Sequence, residues 1–324
     1  KRSNPLFFYK AILDVIRLNL PLAFSKIFVI ILIYLVKERK YHSMRKLYYL
    51  TLDTETATLP FINEIALDSK AKQTISIAKP LVYDIGWTIS DRNGNIIKRE
   101  NYLIQETFFV PNIFNTAYYK DKRPQYMKLY SEGKIKAATW NEVIEILLTD
   151  LETVNFVTAY NACFDFKKAI PFTERYIYHL YSENYNKWEE RQKKRCIDIL
   201  ENGNHAKNEK YLVPVFELRG NEYPLIDIWA LACDRLLNTN KYRKYCCDNN
   251  FFTDSKKFFK TSAEVSYRYL VKDNDFIESH TALSAAEIET FILAKALKRG
   301  KSEPYLKAFP FRTIGTVKKY LEED

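Results

Sequence analysis

Leu47-Tyr48-Tyr49-Leu50-Thr51-Leu52-Asp53-Thr54-Glu55-Thr56 is the stretch from which the fold is read. Its first six residues are aliphatic, aromatic or β-branched, the composition of a strand buried in a sheet. Two carboxylates then follow at i and i+2. Residues two apart on a strand share a face, so Asp53 and Glu55 can converge at the end of an apolar strand. Charge placed there is costly unless a cation balances it, and a divalent metal is the simplest such cation. Taken alone, such a pair is more often two solvated turn residues. The reading therefore depends on what the rest of the chain offers.

Working outward, Leu81 to Ile89 reads as a second strand and Ile96 to Ile104 as a third, joined through the Asn93-Gly94 turn. Asn141 to Leu151 carries Val143, Ile144, Leu147, Leu148 and Leu151 at helical spacing. Asn155 to Tyr160 reads as a fourth strand, followed by a helix from near Phe164. Leu225 to Trp229 reads as a fifth, followed by a helix over Ala230 to Leu237. Ala286 to Leu297 is expected as the last core helix. Three strands in succession, then helix, strand, helix, strand and helix, predict an α/β domain on a five-stranded mixed sheet. The polar, charged stretch from about residue 181 to 223 reads as an insertion.

The chain has 324 residues, 47% hydrophobic, enough for one large domain with a true core. It holds only 7 glycines and no G-x-G-x-x-G or P-loop pattern, which excludes a Gly-rich phosphate cradle. The 5 cysteines include no C-x-x-C pair, so reduced thiols in a cytoplasmic protein are expected. The net charge of +10 favours a polyanionic partner. So do basic runs with aromatic neighbours, Lys120-Asp121-Lys122-Arg123, Lys241-Tyr242-Arg243-Lys244-Tyr245 and Lys256-Lys257-Phe258-Phe259-Lys260.

Residues 1–43 differ from the rest. The uncharged run Ile27 to Val36 is shorter than the roughly 20 residues a membrane-spanning helix needs, so a packed helical extension is expected rather than a membrane anchor. Met44 stands just before the first strand. On that reading residues 44–324 form the functional domain and residues 1–43 need not belong to it.

Two further segments carry candidate chemistry. Tyr160-Asn161-Ala162-Cys163-Phe164-Asp165 places a third acid, Asp165, where a helix begins. Glu278-Ser279-His280-Thr281-Ala282-Leu283-Ser284-Ala285-Ala286-Glu287 places His280, a possible general base, in a loop entering the last helix. Each is weak by itself. Their order and contexts together resemble the DEDDh-type 3′-5′ exonucleases, which include polymerase proofreading subunits and ribonuclease T. That family shows D-x-E-T on its first strand, N-x-x-F-D after its fourth and H-x-A-L-x-D-A before its last helix. The resemblance covers about Leu47 to Lys298.

The resemblance implies a ribonuclease H-like fold and two Mg²⁺ or Mn²⁺ ions held by Asp53, Glu55 and Asp165. It implies His280 as the base that activates water, with Thr56, Asn161 and Phe164 seating the terminal nucleotide. The implied partners are single-stranded DNA or RNA 3′ ends, with a separate polymerase needed for any proofreading role. One position departs. The family's fourth acid falls at Ala285, and a methyl group binds no metal. Substitution, natural loss and service by Glu289 one turn further along the helix all fit. Glu287 faces another direction. The otherwise intact motif favours substitution or loss. The expectation is an exonuclease impaired at Ala285, or a nucleic-acid-binding module that keeps the fold without catalysis.

Overall fold

The computed structural model describes residues 46–203 and 213–323. The chain divides into two units, Lys1–Lys46 and Leu47–Asp324. The expected N-terminal helical extension and its apolar run lie outside the described residues. Among those described, no helix is long and apolar enough to cross a membrane.

The second unit is α/β. Its sheet has seven strands: β1 (Tyr48–Ala57), β2 (Leu81–Asp91), β3 (Ile96–Ile104), β4 (Lys136–Ala138), β5 (Phe156–Ala159), β6 (Val215–Leu218) and β7 (Asn221–Asp227), in the order β4-β3-β2-β1-β5-β7-β6. Strands β1, β5 and β7 run parallel, whereas β2 is antiparallel to both β1 and β3. The five strands legible in the sequence are the contiguous centre of this sheet. The count of five is corrected by the two edges. β4 has three residues, Lys136-Ala137-Ala138, with no β-branched or aromatic side chain to announce a strand. β6 lies inside the stretch read as an insertion. It turns into β7 through Arg219 and Gly220, both at positive φ, the two-residue turn that suits twisted strands. β7 also starts four residues earlier than expected and ends at Asp227.

The helices used below are α1 (Ser69–Ala78), α2 (Arg123–Ser131), α3 (Trp140–Leu151), α4 (Ile170–Leu180), α5 (Tyr185–Asn202), α6 (Asn240–Asp248), α7 (Ala263–Val271) and α8 (Ala282–Leu297). Helix α3 starts at a capping box, Thr139 and Glu142 exchanging bonds across the first turn. Within the polar, charged stretch read as an insertion, α5 has a periodic buried face: Trp188, Gln192 and Cys196 are buried at four-residue spacing. A glutamine in the middle of that stripe and charges around it mask the apolar face.

Strand alternation divides the core. Leu50 and Leu52 of β1 belong to the larger cluster, with Trp140, Val143, Ile144 and Leu147 of α3. Tyr49 belongs to the other, with Ile288, Ile292 and Leu293 of α8. By parity Asp53 and Glu55 share Tyr49's face, the face covered by α8. Helix α8 starts four residues earlier than expected and lies directly on β2. A Cβ on Gly86 would fall 2.3 Å from the Leu283 backbone nitrogen, so only glycine permits this approach. Further along, Thr88 and Thr290 share a buried hydroxyl hydrogen bond of 2.6 Å.

The basic runs also resolve. Tyr242 of α6 is fully buried and edge-on to Tyr269, Phe259 is buried, and Arg243 donates to the Ile314 carbonyl. Those side chains serve packing. Lys122 of the first run is different and lies beside the acids described next.

Candidate active site

The site gathers at the carboxyl ends of the parallel strands, where α/β sheets commonly bind their ligands. β1 contributes Asp53 and Glu55. Both retain some exposure, unlike Tyr49 to Leu52 before them. Opposite Glu55 on β2 stands Asp84, and opposite Asp53 stands Gly86. The β1–β2 register slips immediately after Glu55, where Thr56 pairs with Val82. Such a bulge re-aims side chains at a strand end.

β5 ends at Ala159, and the chain reverses through Asn161 at φ 65°, a left-handed conformation that asparagine tolerates better than most residues. A short helical turn follows, and Asp165 opens a π-helical turn running to Ala169. Asp165 is buried, and Thr54 donates to its Oδ1 at 2.6 Å. Burial pushes this carboxyl up to about 7, against the Thr54 bond, which lowers it.

α8 brings the third group of residues. Asp84 accepts from the Ala282 backbone N–H at 2.8 Å and from the Asn101 amide at 2.6 Å, so an acid on β2 caps a helix 198 residues away in sequence. Burial pushes Asp84 up to about 6, while these bonds oppose the shift. The loop before α8 is tied down at two carbonyls: Tyr126 of α2 donates to His280 at 2.9 Å, and Lys122 donates to Ser279 at 2.8 Å. His280 itself sits at φ 54°, and its imidazole stacks on Tyr119 with centroids 4.3 Å apart. Burial, and then Lys122, hold the His280 pKa below its ordinary value. The imidazole is thus neutral at physiological pH and able to accept a proton.

Ala285 is buried on α8. One turn on, Glu289 is only 2% exposed, and its Oε2 accepts from the Tyr160 backbone N–H at 3.0 Å. The carboxylates repel one another. Asp53 is raised well above the ordinary aspartate range by burial, then by Glu289, Asp165, Glu55 and Glu278 in turn. Glu55 is raised by burial and by Asp84 and Glu278, with Lys122 acting in the opposite sense.

Of the residues expected to seat a nucleotide, Asn161 and Phe164 line a cleft of about 210 Å³ with Asp227, Trp229 and Phe309, whereas Thr56 is half-buried at the bulge. Asp227, also buried, accepts from the Ala230 N–H and is pushed up to about 7 by burial. Asp84 and Asp227 carry no motif. The available signal was an acid interrupting an apolar strand, Leu-Val-Tyr-Asp-Ile-Gly-Trp for the first and Leu-Ile-Asp-Ile-Trp for the second. Lys122 was marked only as part of a basic run, and Tyr119 and Tyr126 had no signal, because their roles arise from packing across 154 residues or more.

As the side chains stand, no three His, Cys, Asp or Glu groups among the described residues are close enough together to hold a metal ion. The donor chemistry still fits a hard divalent ion. The groups that press on Asp53 are all carboxylates, Glu289 and Asp165 buried and Glu55 and Glu278 half-buried, a mutually repelling set that a divalent cation would relieve. The chain matches no protein-family model, no curated protein and no solved structure.

Proposed function

We propose that this protein is a metal-dependent 3′-5′ exonuclease of the DEDDh type on a ribonuclease H-like fold, acting on single-stranded nucleic acid. One observation carries the reading. Asp53 and Glu55 at the end of β1 and Asp165 after β5, from two separate motif segments, lie at the carboxyl ends of adjacent parallel strands, near enough for Asp165 to raise both β1 acids. The contiguous centre of the sheet, β3-β2-β1-β5-β7, also supports it.

Asp53, Glu55 and Asp165 would hold the Mg²⁺ or Mn²⁺ ions, which when bound supply charge neutralisation at the phosphate and a more acidic water. His280 receives the proton of the attacking water at an imidazole nitrogen kept neutral by its surroundings. Tyr119 stacks on that ring, and Tyr126 fixes the His280 backbone. Asn161 and Phe164, at the mouth of the adjoining cleft, orient the terminal nucleotide, and Lys122 places a cation beside Glu55 and His280 for the substrate phosphate.

Ala285 favours a second reading, a binding module without catalysis, because an apolar residue stands at a ligand position of the family. Digestion of 5′-end-labelled single-stranded DNA and RNA in Mg²⁺ and Mn²⁺ separates the two. The exonuclease shortens the strand one nucleotide at a time from its 3′ end and loses this activity in Asp53→Asn. Retention of the strand without shortening supports the module. Neither cleavage nor binding refutes both.

A further inference from the structure

We infer that Glu289 takes the place of the carboxylate missing at position 285 and serves as the fourth metal ligand. This rests on the exonuclease reading and departs from its motif, which puts the acid on the first turn of the helix.

Helix geometry allows the exchange. Residues four apart lie on one face, offset by about 40° and about 6 Å along the axis. Side chains on a helix lean toward its N-terminus, and a glutamate is one methylene longer than an aspartate, so Glu289 reaches back over Ala285. The smallness of Ala285, itself buried, leaves that path open. The Tyr160 N–H holds Oε2 from the exit of β5, two residues past the last residue paired with β1.

The surroundings of Glu289 point the same way. Its charged neighbours are Asp165, Glu278 and Asp227, and it is the first of the charges acting on Asp53. A carboxylate buried among carboxylates is destabilising in an ion-free fold. It is not explained by packing, which any of several apolar residues would serve at that position. Glu287 shows the ordinary alternative two residues away: it is exposed and pairs with Arg99 at 2.6 Å on the outer face.

The test is Mn²⁺ binding, followed by the electron paramagnetic resonance signal of free Mn²⁺, for the full chain and three variants. Outer-sphere changes commonly cost 10- to 100-fold in metal affinity, so loss of a direct ligand in Glu289→Gln is expected to weaken at least one ion by about tenfold or more. The amide keeps an acceptor for Tyr160 and removes a repulsion, so the ion-free variant is expected to melt no lower than the parent. Glu287→Gln leaves binding unchanged. Adding Ala285→Asp to Glu289→Gln returns a carboxylate to the first turn and restores the ion. Binding by Glu289→Gln equal to the parent in number and affinity overturns the inference and leaves the exonuclease reading standing. If the parent itself binds no Mn²⁺, the exonuclease reading falls and this inference with it.

Discussion

Replacing Gly86 by alanine tests whether the approach of α8 to β2 positions the candidate site. The added Cβ would stand 2.3 Å from the Leu283 nitrogen, 2.6 Å from its Cα and 2.7 Å from the Ala282 carbonyl carbon. All three are backbone atoms, so no side chain can rotate away. Comfortable contact needs about 3.5 Å, so the first turn of α8 must retreat by about 1 Å. That retreat stretches the 2.8 Å bond from the Ala282 N–H to Asp84 beyond hydrogen-bonding distance. Overpacking of this kind costs about 1–3 kcal/mol. Losing a bond to a buried carboxyl adds about 1.5–3 kcal/mol where the group is charged, and less where Asp84 keeps its proton. The expected loss is about 2–5 kcal/mol, a large share of a typical domain stability of roughly 5–15 kcal/mol. Urea denaturation of parent and variant in EDTA measures it. Under conditions where the variant is still folded, cleavage should fall as well, because His280 enters the helix two residues before Ala282. A variant within about 0.5 kcal/mol of the parent, a change typical of an indifferent surface site, would refute the reasoning.

Three other outcomes are expected. His280→Ala should lower the single-turnover cleavage rate by roughly 10²- to 10⁴-fold while leaving Mn²⁺ affinity near that of the parent, as for a proton acceptor that is not a ligand; a parallel loss of metal affinity would assign it a different role. In EDTA the melting temperature should fall from pH 5 to pH 8. Asp165 and Asp227 near 7 and Asp84 near 6 hold protons in the folded state that the unfolded chain has released above about 4, so their stabilising contribution is complete below about pH 4 and lost as pH rises through those values. Mn²⁺ should restore stability at pH 8, and a melting temperature in EDTA that rises over this range would contradict the assignment of these groups. Binding of single strands should weaken with salt at a log–log slope of about −2 to −4, as roughly three to five phosphate contacts give; a flat response would remove the electrostatic basis for a nucleic-acid partner.

The central strands were legible because their signal is local. β1 and β2 are long runs of apolar and β-favouring residues; β2 is buried throughout, and β1 is buried from Tyr49 to Leu52. The positions of Asp53, Glu55, Asp165 and His280 in the chain were legible for the same reason, since each follows or precedes an element that announces itself. The edges β4 and β6 were not legible: a three- or four-residue strand is fixed by the neighbour it pairs with and needs little sequence preference of its own.

What the tertiary structure decided is how the acids relate. The sequence offered Glu289 only as one of three accounts of Ala285, and the intact motif argued against it. Packing α8 onto Gly86 turns that residue inward, buries it, and sets it against Asp53 and Asp165. The roles of Asp84, Tyr126 and Lys122 around the His280 loop arise in the same way. Position along the chain says which residues are available. Which carboxylates share one low-dielectric space depends on where a helix lands on a sheet, and here that is fixed by the absence of a single Cβ at Gly86.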